Sequence, residues 1–380
     1  MRISRQYVLD EAVRRAGHDD FGEPAFLDGL NALIASIAED GRLAEDRRAG
    51  VTEKLIGPLV QRLRLYADRR RHREIPAQAI TAPLVVIGLP RSGTTFLHAL
   101  LSRDPGTRSP LSWQLSNLSP PPRRESLDTD PRIAAVAAAL AQLPDDFKRM
   151  HMVGAKLPEE CNAITTMGFV SPNFDAGLDV ASYLRWFMEA DARPAYQTHR
   201  HTLQHLQAFT GGGRWVLKAP PHMYHMDALF ATYPDARIVF PHRDPADTIP
   251  SLASLVASIR RWTYADVDQA AIGRWQMETW AVALERALAF RADSPYADRF
   301  VDVSYDALVA RPMETVEAIY SRFGMMLTPD AERAIRAFLA DKPKDKHGAH
   351  RYTLAEAGLT REAVRERFGA YLAAHLPALV

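Results

Sequence analysis

A chain of 380 residues is long enough for one large α/β domain or two ordinary ones, each with a real core. Lys plus Arg (47) nearly cancels Asp plus Glu (46), and the formal charge of +1 excludes a global field that would draw nucleic acid or membrane. One cysteine, Cys161, excludes an internal disulfide and a zinc cluster built on cysteines.

Met1 to Tyr7 lead into charged sequence rather than an apolar leader, and no apolar run reaches the roughly 18 residues of a spanning helix. A soluble, reduced, cytoplasmic enzyme without a membrane span is therefore expected. Residues 1–80 read as helices. Leu9, Ala12, Val13 and Ala16 recur at helical spacing, as do Phe26, Leu27, Leu30, Leu33 and Ile34, and then Leu55, Leu59, Leu63 and Tyr66 over 52–72. The basic run Arg69-Arg70-Arg71-His72-Arg73 reads as a solvated helix end, because no base-reading motif or interleaved aromatics accompany it. Nucleic acid is thus not an expected partner. These helices form an N-terminal helical extension that either caps the rest of the chain or mediates a homodimer.

At Pro83 the texture changes, and residues 81–380 read as the second unit. Leu84-Val85-Val86-Ile87-Gly88 is a short β-branched apolar run, the pattern of a buried parallel strand. Similar runs recur at 215–217, 237–240 and 299–303, separated by helical patterns at 95–101, 185–209, 223–233, 246–260 and 268–292. Strands alternating with helices predict an α/β fold, a P-loop-like parallel sheet flanked by helices. Residues 102–132, with Pro120-Pro121-Pro122, read as a long functional loop, and 145–180 as irregular. Residues 312–340 are helical again and end in a Lys/His-rich turn at 342–352.

The stretch Gly88-Leu89-Pro90-Arg91-Ser92-Gly93-Thr94-Thr95 has the spacing of a phosphate-binding loop between strand and helix. Glycines allow the tight turn, backbone N–H groups face inward, and the helix N-terminus adds positive potential. Thr94 stands where a nucleoside-triphosphate loop carries Lys, which argues against a P-loop small-molecule kinase; Arg91 supplies the cation instead. About 150 residues later, Arg237-Ile238-Val239-Phe240 runs into Pro241-His242-Arg243-Asp244-Pro245. Asp244 suits an N-cap and Pro245 the first helical position, so Arg243 emerges at a strand's C-terminal end, with Ser251 two turns into the helix. Arg243 and Ser251 can hold a second phosphate.

At these residues the sequence resembles the sulfotransferases that use 3′-phosphoadenosine 5′-phosphosulfate (PAPS), in the bacterial branch that also resembles protein-tyrosine and carbohydrate sulfotransferases. Pro90 to Phe96 is similar to their 5′-phosphosulfate loop, and Arg237 to Pro245 with Ser251 is similar to their 3′-phosphate site. Trp215-Val216-Leu217-Lys218-Ala219-Pro220 resembles the strand-then-Lys element, and Val303 to Leu308 the later strand-to-helix passage. The resemblance covers roughly residues 83–325. It implies a donor site of Arg91, Ser92, Gly93, Thr94, Thr95, Arg243, Ser251 and Tyr305, with Lys346 and Gly348 from Lys346-His347-Gly348, a loose echo of the family's Arg-Lys-Gly element. Two departures are visible: Pro250 sits inside the helix bearing Ser251, and Pro220 replaces the His that cytosolic members carry after the strand Lys.

Sulfuryl transfer is analogous to phosphoryl transfer, so cations must neutralise a leaving phosphate and a base can deprotonate the attacking hydroxyl. Arg91 and Lys218 are the expected cations. The chain has only 7 lysines beside 40 arginines, which gives Lys218 at a strand end added weight. Glu160, or its neighbour Glu159, is the expected base, as a Glu serves in the tyrosine-protein relatives; His222 is the alternative. Transfer would consume PAPS and release 3′-phosphoadenosine 5′-phosphate (PAP). No metal is expected: His201 and His205, one turn apart, lack a supporting carboxylate pattern, and Cys161 reads as a packed residue. Trp113, Phe169, Phe174, Tyr183 and Trp186 are expected to line the acceptor site, for a small-molecule, carbohydrate or peptide hydroxyl. A P-loop small-molecule kinase and a non-catalytic nucleotide-binding protein are the competing readings.

Overall fold

Five short strands align in parallel in the order β2-β3-β1-β4-β5: β1 is Leu84–Val86, β2 Thr107–Arg108, β3 Arg214–Lys218, β4 Arg237–His242 and β5 Phe300–Ser304. The computed structural model describes residues 3–40, 42–341 and 352–379. β1 lies at the centre, with Val85 in register with Leu217 on one side and Ile238 on the other. Alternate residues feed opposite faces. Val85, Leu217 and Ile238 join one hydrophobic cluster, while Leu84, Val86, Val216 and Val239 join another with Leu97, Leu308 and Val316. Helices cover both faces, so the strands read as continuous apolar runs rather than alternating ones.

The N-terminal helices Arg5–Ala16, Phe26–Asp40 and Arg48–Arg71 share the first of those clusters with the sheet. Arg62, 2% exposed, ties them together by donating to the carbonyls of Phe21 (2.6 Å) and Glu23 (2.8 Å) and to Thr198 Oγ1 (3.0 Å). A buried guanidinium is tolerated because its N–H groups find acceptors. Gly29 permits a close approach, since a Cβ there would stand 2.2 Å from the Phe169 carbonyl oxygen. The basic run at the end of the third helix is partnered rather than simply solvated: Arg69 donates to Gln204 Oε1 (2.9 Å), Arg70 pairs with Asp20, and His72 meets Phe209 edge-on.

Three elements differ from the sequence reading. The segment 185–209 is two helices, Ala181–Glu189 and Arg193–Gln207, because Asp191 accepts from the Arg193 N–H (3.0 Å) and Pro194 restarts the chain in a new first turn. Residues 312–340 also divide, into Pro312–Arg322 and Pro329–Asp341, with Gly324 at φ 58° after the first. The loop 102–132 contains edge strand β2 and the helix Ser112–Ser116; two residues of strand are too few to leave a periodic signal. Among the described residues no helix is long and apolar enough to cross a membrane.

Candidate active site

The chain leaves β1 into the glycine loop at the point where strand order reverses, with β3 on one side and β4 on the other. Gly88 (φ 116°) has no room for a side chain: a Cβ would stand 2.9 Å from the Pro241 carbonyl oxygen. Arg91 also adopts a left-handed conformation, φ 71°, which an L side chain rarely takes. It is held there from several sides. Its carbonyl accepts from Arg243 Nη1 (2.9 Å), its Nε donates to Ser251 Oγ (3.0 Å), and its Nη1 donates to the Met150 carbonyl (2.6 Å). Burial lowers the Arg91 pKa from its ordinary value, and Arg243 adds to that. Ser92 is fully buried and its hydroxyl donates to the Leu89 carbonyl (2.7 Å), so it closes the loop upon itself.

Gly93 ends the loop, and Thr94 and Thr95 open the helix Thr94–Leu101. At the end of β4, Asp244 caps the helix Pro245–Arg260, accepting from the Ala246 N–H at 2.8 Å, and itself receives Arg361 (3.1 Å) and Arg365 (2.8 Å). Arg243 lies over the Tyr305 ring, 4.1 Å from its centroid. The helix continues through Pro250, and Ser251 still reaches Arg91. Arg91, Arg243, Ser251 and Tyr305 thus form one cluster. Lys346 and Gly348 lie outside the described residues.

A second cluster stands at the end of β3. Lys218, 2% exposed, forms an ion pair with Glu160, whose side chain is 20% exposed, and donates to Thr95 Oγ1 (3.2 Å). Asn162 Nδ2 donates to the other Glu160 oxygen at 3.0 Å. Burial pushes the Glu160 carboxyl up, but Lys218 and then His151 outweigh it and hold the group below the ordinary carboxylate value. Glu159 faces elsewhere, its carboxylate accepting from Ser112 Oγ (2.8 Å) and from the Glu160 N–H (3.0 Å). Of the two neighbours, Glu160 is the one that meets Lys218. His222 is buried with Nδ1 hydrogen-bonded to the Tyr196 hydroxyl (2.6 Å), and burial lowers its pKa to about 3. Cys161 is fully buried, its thiol pushed up to about 12.

Comparison with known proteins places this geometry. A family model described as "Sulfotransferase family" matches residues 83–330. The chain belongs to the sulfotransferase family. Sulfotransferase STF1 from Mycobacterium tuberculosis H37Rv is similar over 97% of this chain and 98% of its own, at 32% identity and a TM-score of 0.86. Sulfotransferase STF9 from Mycobacterium avium is similar over 98% of this chain and 96% of its own, at 31% identity and a TM-score of 0.89. The likeness therefore includes the N-terminal helices as well as the sheet. No curated protein sequence matches.

Two histidines of this sulfotransferase site carried no signal in the sequence. His151 lies where the charges of Glu160, Lys218, Glu159 and Arg91 all reach it, and burial, opposed in part by Glu160, lowers its pKa. It follows Met150, whose carbonyl receives Arg91, so the loop and this segment are tied together. His98 sits behind Lys218 on the first turns after the loop; burial and then Lys218 lower its pKa to about 3, and its Nε2–H donates to the Val216 carbonyl (3.1 Å). Most of the aromatics expected to line an acceptor site pack in the core instead. Phe169 and Phe174 stack at 5.5 Å, Tyr183 meets Phe174 edge-on, and Trp113 lies under the Arg132 guanidinium. Trp186 is half-buried and lines a cavity of about 480 Å³ with Phe26, Arg62 and Val170.

Proposed function

We propose that this sulfotransferase transfers the sulfuryl group of PAPS to the hydroxyl of a small-molecule, carbohydrate or peptide acceptor by in-line displacement, releasing PAP. The observation that carries this reading is the convergence of two separate cationic clusters on the end of β1: Arg91 with Arg243 and Ser251, and Lys218 with Glu160 and Thr95. The donor set suits a nucleotide with phosphate groups at two ends and no triphosphate. Two guanidiniums stand beside the loop that leads into a helix N-terminus, and Thr94 leaves the loop without the Lys that a γ-phosphate needs. PAPS supplies an activated sulfuryl group on a phosphate that leaves as an anion.

The residues then divide the work. The Gly93 backbone N–H, with the hydroxyls of Thr94 and Thr95, holds the 5′ end against the helix start, while Ser92, whose N–H and hydroxyl both donate to the Leu89 carbonyl (3.2 and 2.7 Å), shapes the loop around it. Arg243, kept in plane by the Tyr305 ring, and Ser251 hold the 3′-phosphate; Lys346 and Gly348 are assigned to that end by family resemblance. Arg91 bridges the two ends. Lys218 places its ammonium where negative charge builds on the leaving oxygen, the kind of pre-set electrostatic help that counts most in a site shielded from water. Glu160 receives the proton of the acceptor hydroxyl, and its pairing with Lys218 keeps it ionised and ready at neutral pH. His222 is enclosed and already bonded to Tyr196, so the base role falls to Glu160.

A thermal-shift comparison tests the donor assignment. PAP is expected to raise the melting midpoint more than ATP with magnesium does. A larger shift with ATP overturns it. Transfer of radiolabelled sulfate from PAPS to an acceptor panel is expected to separate an enzyme from a protein that only binds the nucleotide.

A further inference from the structure

One residue beyond Glu160, the chain brings together three groups that ligate metals. Cys161, His199 and His222 are 0%, 0% and 2% exposed, and one ligating atom of each lies within 4.8 Å of the others. Both histidines have their Nδ1 taken by a phenol: His199 by the Tyr233 hydroxyl (2.7 Å) and His222 by the Tyr196 hydroxyl (2.6 Å). Among the described residues, both have a buried Nε2 with no hydrogen-bond partner. Buried polar atoms are seldom left so, and two in one cluster ask for a shared explanation. The tautomer sets the direction of both bonds: in the Nδ1–H form each ring donates to the phenol oxygen and each Nε2 presents a lone pair, which is how an outer partner sets a histidine for metal binding. The three residues sit on three different elements, so no linear spacing reveals them. The histidine pair visible at helical spacing is occupied elsewhere: His205 Nε2 bonds Asp68 Oδ2 (3.1 Å) and His201 meets Tyr66 edge-on.

We propose that Cys161, His199 and His222 bind a d10 cation, Zn²⁺ or Cu⁺, through one thiolate and two imidazole Nε2 atoms. A soft thiolate with two imidazoles suits either ion. Ligands around such an ion stand roughly 3.3–3.8 Å apart, so the three groups must close by about 1 Å. Binding releases the thiol proton to solvent, and nothing is oxidised or reduced. The ion would also fix the Glu160–Lys218 pair, because Cys161 follows Glu160, its N–H donates to the Lys218 carbonyl (3.0 Å), and His222 lies just beyond β3. This proposal does not depend on which sulfuryl donor the enzyme uses.

The test uses untagged full-length protein, dialysed without chelator and analysed for bound elements. Wild type is expected to retain about one zinc or copper per chain, and which element is found decides between the two ions. Cys161→Ala and His199→Gln are each expected to lower that content at least about tenfold. Chelator-stripped wild type titrated with Co²⁺ is expected to develop a thiolate-to-cobalt charge-transfer band that Cys161→Ser lacks. Since a variant can fail to fold, the cobalt titration of wild type stands alone. A stripped protein that gives no such band overturns the proposal, as does metal retained equally by both variants.

Discussion

On one side of the β1 terminus, Arg91, Arg243 and Ser251 hold one another through neutral acceptors: a hydroxyl and a backbone carbonyl. On the other side, Lys218 and Glu160 hold each other as opposite charges, with the lysine almost wholly enclosed. The two arrangements place cations at comparable positions but respond differently to loss of a member. A guanidinium bonded to carbonyls can be removed and leave neutral groups behind. Removing one partner of an enclosed ion pair strands the other charge, which is the expensive case. The donor side should therefore lose affinity by steps, and the transfer side should fail as a unit.

The largest expected effect follows from that contrast. Lys218→Met should lower turnover on the order of 10²–10³-fold, while PAP affinity, read by calorimetry, changes only a few-fold. Equal loss of both would place Lys218 with the donor-side cations. Glu160→Gln comes next, with turnover down roughly 10²-fold and PAP binding retained. The pH profile sharpens the point. Glu160 is held below the ordinary carboxylate value, so wild-type turnover should stay level through neutral pH and fall only in the acid range as the carboxylate takes up a proton. In Lys218→Met the cation that lowers this pKa is gone while the burial that raises it remains. The residual activity should then lose its acid limb at a higher pH than wild type. An unmoved limb would show that Glu160 does not titrate in the reaction.

The same two sides differ in how well the sequence revealed them. Two glycines, Gly88 and Gly93, between an apolar run and a helix pattern suffice to place the glycine loop after β1, because a tight turn demands those residues locally. The Arg243-Asp244-Pro245 corner is equally local, built from a cap and the residue before it. Lys218 and Glu160 were each visible as candidates, yet their pairing spans 58 positions and is settled where the segment before Cys161 meets the end of β3, through the Cys161 N–H donated to the Lys218 carbonyl (3.0 Å). Which of Glu159 and Glu160 faces the lysine depends on Ser112, which draws Glu159 the other way. His151 had no signal at all, since what matters is the packing of its segment over Arg91. The aromatics failed for a related reason: stacked Phe169 and Phe174 look the same in sequence whether they fill a core or wall a pocket.

On the donor side the expected losses are smaller. Arg243→Ala should weaken PAP binding about 10- to 100-fold, the usual worth of one or two charge-assisted hydrogen bonds, with turnover at saturating donor largely kept. Titration calorimetry with PAP and saturation kinetics with PAPS check the two halves of that statement.

Ser251→Ala should have the least effect, about 2- to 10-fold in PAP affinity, because a single neutral hydroxyl is lost. Its interest lies in coupling. Ser251 accepts from Arg91 Nε, so under the proposed donor assignment it would serve the site by aiming that guanidinium, by its own contact with the nucleotide, or by both. A double-mutant cycle separates the two contributions. If aiming dominates, Ser251→Ala costs little once Arg91 is already alanine, and the losses fall short of additive by more than the few tenths of a kcal/mol expected for independent sites. If the losses simply add, Arg91 and Ser251 act on the nucleotide separately. The donor side would then be a set of independent contacts, in sharper contrast to the Lys218–Glu160 pair than the geometry alone suggests.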